Sequence, residues 1–170
     1  MPKKSSAHAS LAADELGTEP TLPPAESSVE RVDTRYLEGL IGYNARRAAL
    51  AVIEVFLARM APYGLRPLDF SILSLITHNP GITARQLCAT LGVLPPNMVG
   101  MVNRFDARGL IERRPHPRDR RAHGLHLTSE GLALMIEAER TAEQLEKDVA
   151  HKLTLAQQQT LMDLLQKIYL

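Results

Sequence analysis

Between Pro62 and Gly109 the chain cannot run far as a helix before it meets a residue that forbids the next turn. Pro62 and Gly64 close one segment, Asn79-Pro80-Gly81 a second and Gly92 a third, while Pro95-Pro96 and Gly109 bracket a fourth. Proline lacks the N–H and clashes with the turn before it, and glycine takes the left-handed conformation that ends helices. The apolar residues between these stops recur at helical steps. Phe70, Ile72, Leu73, Leu75 and Ile76 mark a helix from Leu68 to about Thr77. Thr83-Ala-Arg-Gln86 is a capping box, in which the Thr83 hydroxyl accepts a helical N–H and Gln86 reaches back. It opens a short helix through Leu87, Cys88 and Leu91. Pro95 and Pro96 suit the first turn of the next helix, whose stripe is Met98, Met101, Val102 and Phe105.

Longer elements flank these short ones. Leu37, Leu40, Ile41, Ala45, Ala48, Val52, Val55, Phe56 and Met60 predict one amphipathic helix from Asp33 to Met60. After Gly109, Leu110 and Ile111 start a strand that Pro115 to Pro117 interrupt. Leu125 and Leu127 alternate with Gly124 and His126 in a returning strand, which makes a hairpin with a basic tip. Thr128 caps a helix from Ser129 to about Lys152, and a second capping box, Thr154-Leu-Ala-Gln157, starts a last helix through Leu161, Leu164, Leu165 and Ile168. Residues 1–32, rich in Ala, Ser, Pro and Glu without periodicity, read as a flexible tail. The predicted order is α-α-α-α-β-β-α-α. It describes a mainly α fold with a small β-hairpin wing: a winged helix-turn-helix over about 65–128, with dimerisation helices over about 33–60 and 129–170. Apolar surface on those outer helices exceeds what a small lobe covers, so a homodimer is expected.

Charge points to a partner. Lys plus Arg number 20 and Asp plus Glu 19, so the chain as a whole is nearly neutral. From Arg104 to Arg121, however, seven arginines (104, 108, 113, 114, 118, 120 and 121) face only Asp106, Glu112 and Asp119. A basic block on a mildly acidic body is aimed at a polyanion, and arginine suits bidentate contact with phosphate or guanine. One cysteine, Cys88, excludes an internal disulfide, and no Cys-x-x-Cys spacing is present for zinc. No apolar run approaches the roughly 18 residues of a membrane span, and the N-terminus lacks the apolar stretch of a signal peptide. A cytoplasmic protein without membrane partners is expected.

The segment GLIERRPHPRDRRAHGLHLTSEG (109–131) resembles the wing of the MarR family of bacterial transcription regulators, with Asp119-Arg120-Arg121 followed by Leu127-Thr128 as its most specific part. Upstream, ITARQLCATLGVLPPNMVGMVNRFDARGLIERR resembles that family's helix-turn-helix, and LRPLDFSILSLI the helix before it. The resemblance covers about residues 36–170. It implies that Arg121 enters the minor groove, where narrow width concentrates negative potential, and that Asp119 aims it. Arg118 and Arg120 then meet phosphates, which add affinity without sequence information.

The helix after Pro95 departs from the family pattern, whose start is usually polar. Here it reads Leu94, Pro95, Pro96, Asn97, Met98, Val99, Gly100. Asn97 is suited to a bidentate adenine contact, or else is a helix cap. Leu94, Pro96 or Val99 can meet thymine methyls, and Arg104 a phosphate. With so little to read bases, the wing and DNA shape are expected to carry much of the specificity.

Other chemistry finds less support. His123 and His126 lie an odd number of residues apart on a strand and face opposite sides, so no metal site is expected. Cys88 reads as a small packed hydrophobe, with a redox role as the alternative. No phosphate loop, nucleophile motif or carboxylate pair indicates an enzyme, and no cofactor is implied. The resemblance implies an effector site between the dimer helices and the DNA-binding lobe. Tyr43 and Arg46 share a helix face at i, i+3, and with Arg47 can hold an aromatic carboxylate; solvated or subunit-bridging arginines are the alternative. IGYNARRAAL is also similar to relatives that respond to aromatic acids or their CoA thioesters. The expected function is thus a repressor, homodimeric on a pseudo-palindromic double-stranded operator and released by a small anionic or aromatic ligand. The alternatives are a winged-helix module that binds protein, or an activator without a small-molecule effector.

Overall fold

Stop signals and capping residues act where the sequence places them. The computed structural model describes residues 31–116 and 119–170, with side chains described outside 116–122. Its elements are α1 (Arg35–Glu38), α2 (Ile41–Met60), a 3-10 turn (Ala61–Tyr63), α3 (Pro67–His78), β1 (Ile82–Thr83), α4 (Ala84–Leu91), α5 (Pro95–Ala107), β2 (Ile111–His116), β3 (Asp119–Leu127), α6 (Ser129–Val149) and α7 (Leu155–Tyr169). Gly64, Gly92 and Gly109 all take positive φ at the ends predicted for them. The result is a winged-helix fold, mainly helical with a small antiparallel sheet.

Three expectations need correction. The helix drawn from Asp33 to Met60 is broken: Leu40 is extended (φ −99°, ψ 128°), and the Asn44 amide stitches the break by donating to the carbonyls of Glu38 at 2.7 Å and Leu40 at 2.9 Å. Pro115 does not interrupt its strand, because the sheet order β1-β3-β2 puts β2 on an edge, where a missing N–H is tolerated. The hairpin is also joined by a third strand, since Ile82 and Thr83 pair with Leu125 and Gly124. Glycine is required at that crossing. A Cβ at Gly124 would lie 2.8 Å from the Gly81 carbonyl oxygen.

The core explains how the wing is held. Met60, Ile72, Leu73, Ile76, Leu87, Met98, Phe105 and Met135 are fully buried between α2, α3, α4, α5 and α6. Thr128 locks the base of the hairpin: its hydroxyl donates to the Gly109 carbonyl at 2.6 Å and accepts from the Gly131 N–H at 3.0 Å, capping α6. Helix α6 then crosses α2 and α3, with Ser74 donating to Glu139 at 2.9 Å and Arg59 paired with Asp148 at 2.6 Å. Among the described residues, α1 and α7 bury nothing, and α2 buries only Phe56 and Met60 near its end. No single described helix is long and apolar enough to cross a membrane.

Candidate nucleic-acid interface

Two caps and two prolines set the angle between α4 and α5. The Gln86 N–H donates to the Thr83 hydroxyl at 3.3 Å and the Thr83 N–H to Gln86 Oε1 at 2.9 Å, which fixes the start of α4. Gly92 ends it in the left-handed region, and Leu94 is the extended residue before Pro95-Pro96 in the first turn of α5. Asn97 therefore lies inside the helix, and the reading of it as a cap falls.

Helix α5 has two unlike faces. Met98, Val102 and Phe105 are buried against the core. At about 100° per residue, the middle of the opposite face is formed by Pro96, Gly100, Asn103 and Ala107. All four are exposed, as are Pro95, Asn97 and Arg104. Val99, 53% exposed, is on the flank that turns toward the hairpin. There Thr83, Ala84, Arg85, Val99, Arg113 and His123 line part of a cleft of about 270 Å³. Asn97 and Arg104 lie on the other flank, beside a cleft of about 550 Å³ bordered also by Leu68, Leu94 and Pro96.

Four of the seven clustered arginines are engaged by the body of the protein. Arg104 donates to Asp69 Oδ1 at 3.0 Å; that carboxylate is 6% exposed and also accepts the Arg66 N–H at 3.2 Å. Arg108 donates to the carbonyls of Tyr63 at 2.9 Å and Gly64 at 3.2 Å, tying the end of α5 to the turn before α3. Arg113 donates to Asn103 Oδ1 at 2.5 Å and lies 3.6 Å from Asp106. Arg114 pairs with Glu112. The basic block thus divides into arginines that fasten α5 and the hairpin, and the group at the wing tip.

At the tip, Pro115 pairs with His123 but His116 pairs with Asp119, so Arg120, Arg121 and Ala122 are taken up in an irregularity of β3.

A model of the MarR family matches residues 63–122. A solved structure described as the transcriptional repressor CouR bound to a 23-mer DNA duplex is 37% identical, with a TM-score of 0.76 over 81% of this chain and 98% of that one. The chain belongs to the MarR family. CouR bound to p-coumaroyl-CoA gives 34% identity and a TM-score of 0.72, covering 81% of this chain and 97% of that one. A putative transcriptional regulatory protein for the hcr operon of Thauera aromatica is 29% identical over 86% of this chain and 89% of its own length. These relatives place the protein among MarR-type transcriptional repressors.

In this MarR-type chain, the predicted recognition residues Pro95, Pro96, Asn97, Val99, Gly100 and Arg104 come together on one helix. Arg104, read as a phosphate contact, is also the partner of the buried Asp69. Asp119, Arg120 and Arg121 have their backbone in β3, but their side chains lie outside the described residues, as does Arg118 altogether. Tyr43 is half-buried and Arg46 and Arg47 are exposed, on the part of α2 that lies beyond the core. Cys88 is half-buried and packs against the core. Among the described residues no group of three or more His, Cys, Asp or Glu is placed to hold a metal.

Two further side chains at this face, Asn103 and Arg113, are not among the residues that the sequence singles out for DNA binding. Asn103 had a signal, the seven-residue spacing from Pro96 that returns to the same helix face. In the sequence Arg113 shows only as charge, because its partner lies on another element.

Proposed function

We propose that this MarR-type repressor holds its operator as a homodimer and is released by an aromatic acid or the CoA thioester of one. In this reading residues 65–128 bind DNA, with α5 in the major groove and the wing in the adjacent minor groove, while residues 33–60 and 129–170 join the protomers. The observation that carries it is the outward face of α5. Its small residues stand beside a hairpin with an arginine-rich tip, in a chain 37% identical to a repressor solved on a DNA duplex. Exposed Leu37, Ile41, Leu161 and Leu165 support the dimer, since bare apolar faces of this kind favour burial against a second copy.

The ligand class is supported by the CouR complex with p-coumaroyl-CoA. Tyr43, Arg46 and Arg47 lie on the helix that would join the dimer interface to the lobe, so a carboxylate or phosphate held there can set the separation of the two recognition helices. Half-sites lie about 34–36 Å apart, and a ligand that favours any other separation lowers DNA affinity by linkage.

The test is selection of bound duplexes from a random library with the purified protein. The enriched site is then titrated with benzoates, hydroxycinnamates and p-coumaroyl-CoA. A ten- to hundredfold loss of affinity, roughly 1.4–2.8 kcal/mol of differential binding, is expected from the active compound. Arg46→Ala and Arg47→Ala should blunt that loss. Release that persists unchanged in both variants would move the ligand site elsewhere, and the absence of any enriched sequence would overturn the operator itself.

A further inference from the structure

Asn103 stands in the middle of the face that α5 turns away from the core, in line with Pro96 and Gly100. A Cβ added at Gly100 would meet nothing within 4 Å. With so little side-chain bulk ahead of it, this face lets a DNA groove approach the α5 backbone closely. A side chain two turns into the helix then reaches base edges.

What an asparagine reads depends on which of its amide atoms remain available. With both ends available it pairs with adenine, donating to N7 and accepting from the N6 amine. Asn103 has its oxygen turned to the hairpin. Arg113 Nη2 donates to its Oδ1 at 2.5 Å, and Asp106 lies 3.6 Å from the same guanidinium. A guanidinium carries donors only, so the atom facing it is the oxygen and the NH2 group is left to point elsewhere. Asn97, whose side chain bonds to no other described residue, keeps the adenine pattern.

We infer that Asn103 is a specificity-determining residue that selects guanine over adenine at one position of each half-site, because Arg113 holds its acceptor oxygen toward the hairpin and leaves the NH2 group to face the base. The two remaining N–H donors match the N7 and O6 acceptors of guanine in the major groove, whereas the N6 amine of adenine would set donor against donor. Arg113 is the positioning residue: it fixes what Asn103 presents and ties the hairpin to the recognition helix. The inference rests on α5 entering the major groove, as proposed above.

The experiment is duplex selection with the full chain and four variants, each checked for an unchanged circular dichroism spectrum. Wild type should enrich one guanine per half-site that Asn103→Ala no longer distinguishes, with a loss of roughly tenfold on the wild-type site. Arg113→Met removes the donor, and should move the preference at that same position from guanine to adenine. Arg113→Lys keeps a donor and should keep guanine, as should Arg113→Gln, whose amide also donates. If Arg113→Met loosens the hairpin, the Asn103→Ala result still decides whether this side chain reads the guanine. An unchanged consensus in Asn103→Ala, guanine kept by a folded Arg113→Met, or a shift to adenine in both Arg113→Lys and Arg113→Gln, would overturn the assignment while leaving α5 as the reading helix. Failure of wild type to enrich any sequence would overturn both.

Discussion

The winged-helix lobe and the helical arms obey different rules. Every buried core side chain among the described residues lies between Phe56 and Leu145. The arms, formed by α1, the first part of α2 and α7, instead leave Leu37, Ile41, Leu161, Leu164, Leu165 and Ile168 exposed. A core closed within one chain contributes stability that does not depend on protein concentration. A helix whose apolar face is bare gains stability only when that face is covered, so it responds to mass action. In a chain of this kind, mutations therefore sort by where they act and by whether their effect depends on protein concentration.

The largest effect belongs to the lobe. Phe105 is fully buried where α5 meets the core, so Phe105→Ala should cost about 3–5 kcal/mol, and the thermal midpoint should fall by the same amount at low and high protein concentration. Leu161→Asp in α7 should do the reverse. It places a charge on the face expected to be covered, and should weaken self-association by about a hundredfold, roughly 2.7 kcal/mol, with the lobe still folded. Sedimentation across a dilution series checks it. A monomer at micromolar concentration in the wild type would erase the distinction between lobe and arms.

The same division governs what the sequence revealed. Thr83, Gly92, Gly109, Thr128 and Thr154 were legible because a cap depends on residues three or four positions away. The outward face of α5 was legible for the same reason, since periodicity alone turns Met98, Val102 and Phe105 inward. The break between α1 and α2 was not, although Gly39 ends α1, because the apolar spacing runs on past it and Asn44 supplies the hydrogen bonds that hold the break. Strand β1 exists only because β3, some forty residues later, pairs with it. Arg104 with Asp69, and Arg113 with Asn103, join separate elements, and contacts of that kind leave no periodic trace. Charge counting located the basic block; only the structure separated fastening arginines from the rest.

Wing-tip variants should touch neither side of the comparison. Arg121→Ala is expected to weaken binding to the selected operator by roughly 1–3 kcal/mol, with melting and self-association as in the wild type. Asp119→Ala should act in the same direction but more weakly, because it removes the aim and leaves the charge. Arg118→Ala should lower the salt dependence by about one phosphate contact and leave the sequence preference unchanged. Fluorescence anisotropy at several salt concentrations separates these outcomes. Wild-type affinity in Arg121→Ala would remove the minor-groove assignment.

The smallest effect is the most controlled, because the chain carries the same cap twice. In α4 and in α7 a Gln N–H donates to a Thr hydroxyl at 3.3 Å, and the Thr N–H donates back to the Gln Oε1 at 2.9 Å. Replacing either threonine by alanine removes the same bond, at a cost of about 1 kcal/mol to the helix it starts. The surroundings differ. Helix α4 buries Leu87 in the lobe, whereas α7 buries nothing of its own. Thr83→Ala should therefore lower the thermal midpoint by a few degrees regardless of concentration, with the dimer dissociation constant unchanged. Thr154→Ala should leave the lobe's melting alone in dilute protein and weaken dimerisation by roughly fivefold for each copy of the cap. Equal, concentration-independent losses in the two variants would mean that α7 is held by its own chain, and the arms would then be part of the lobe.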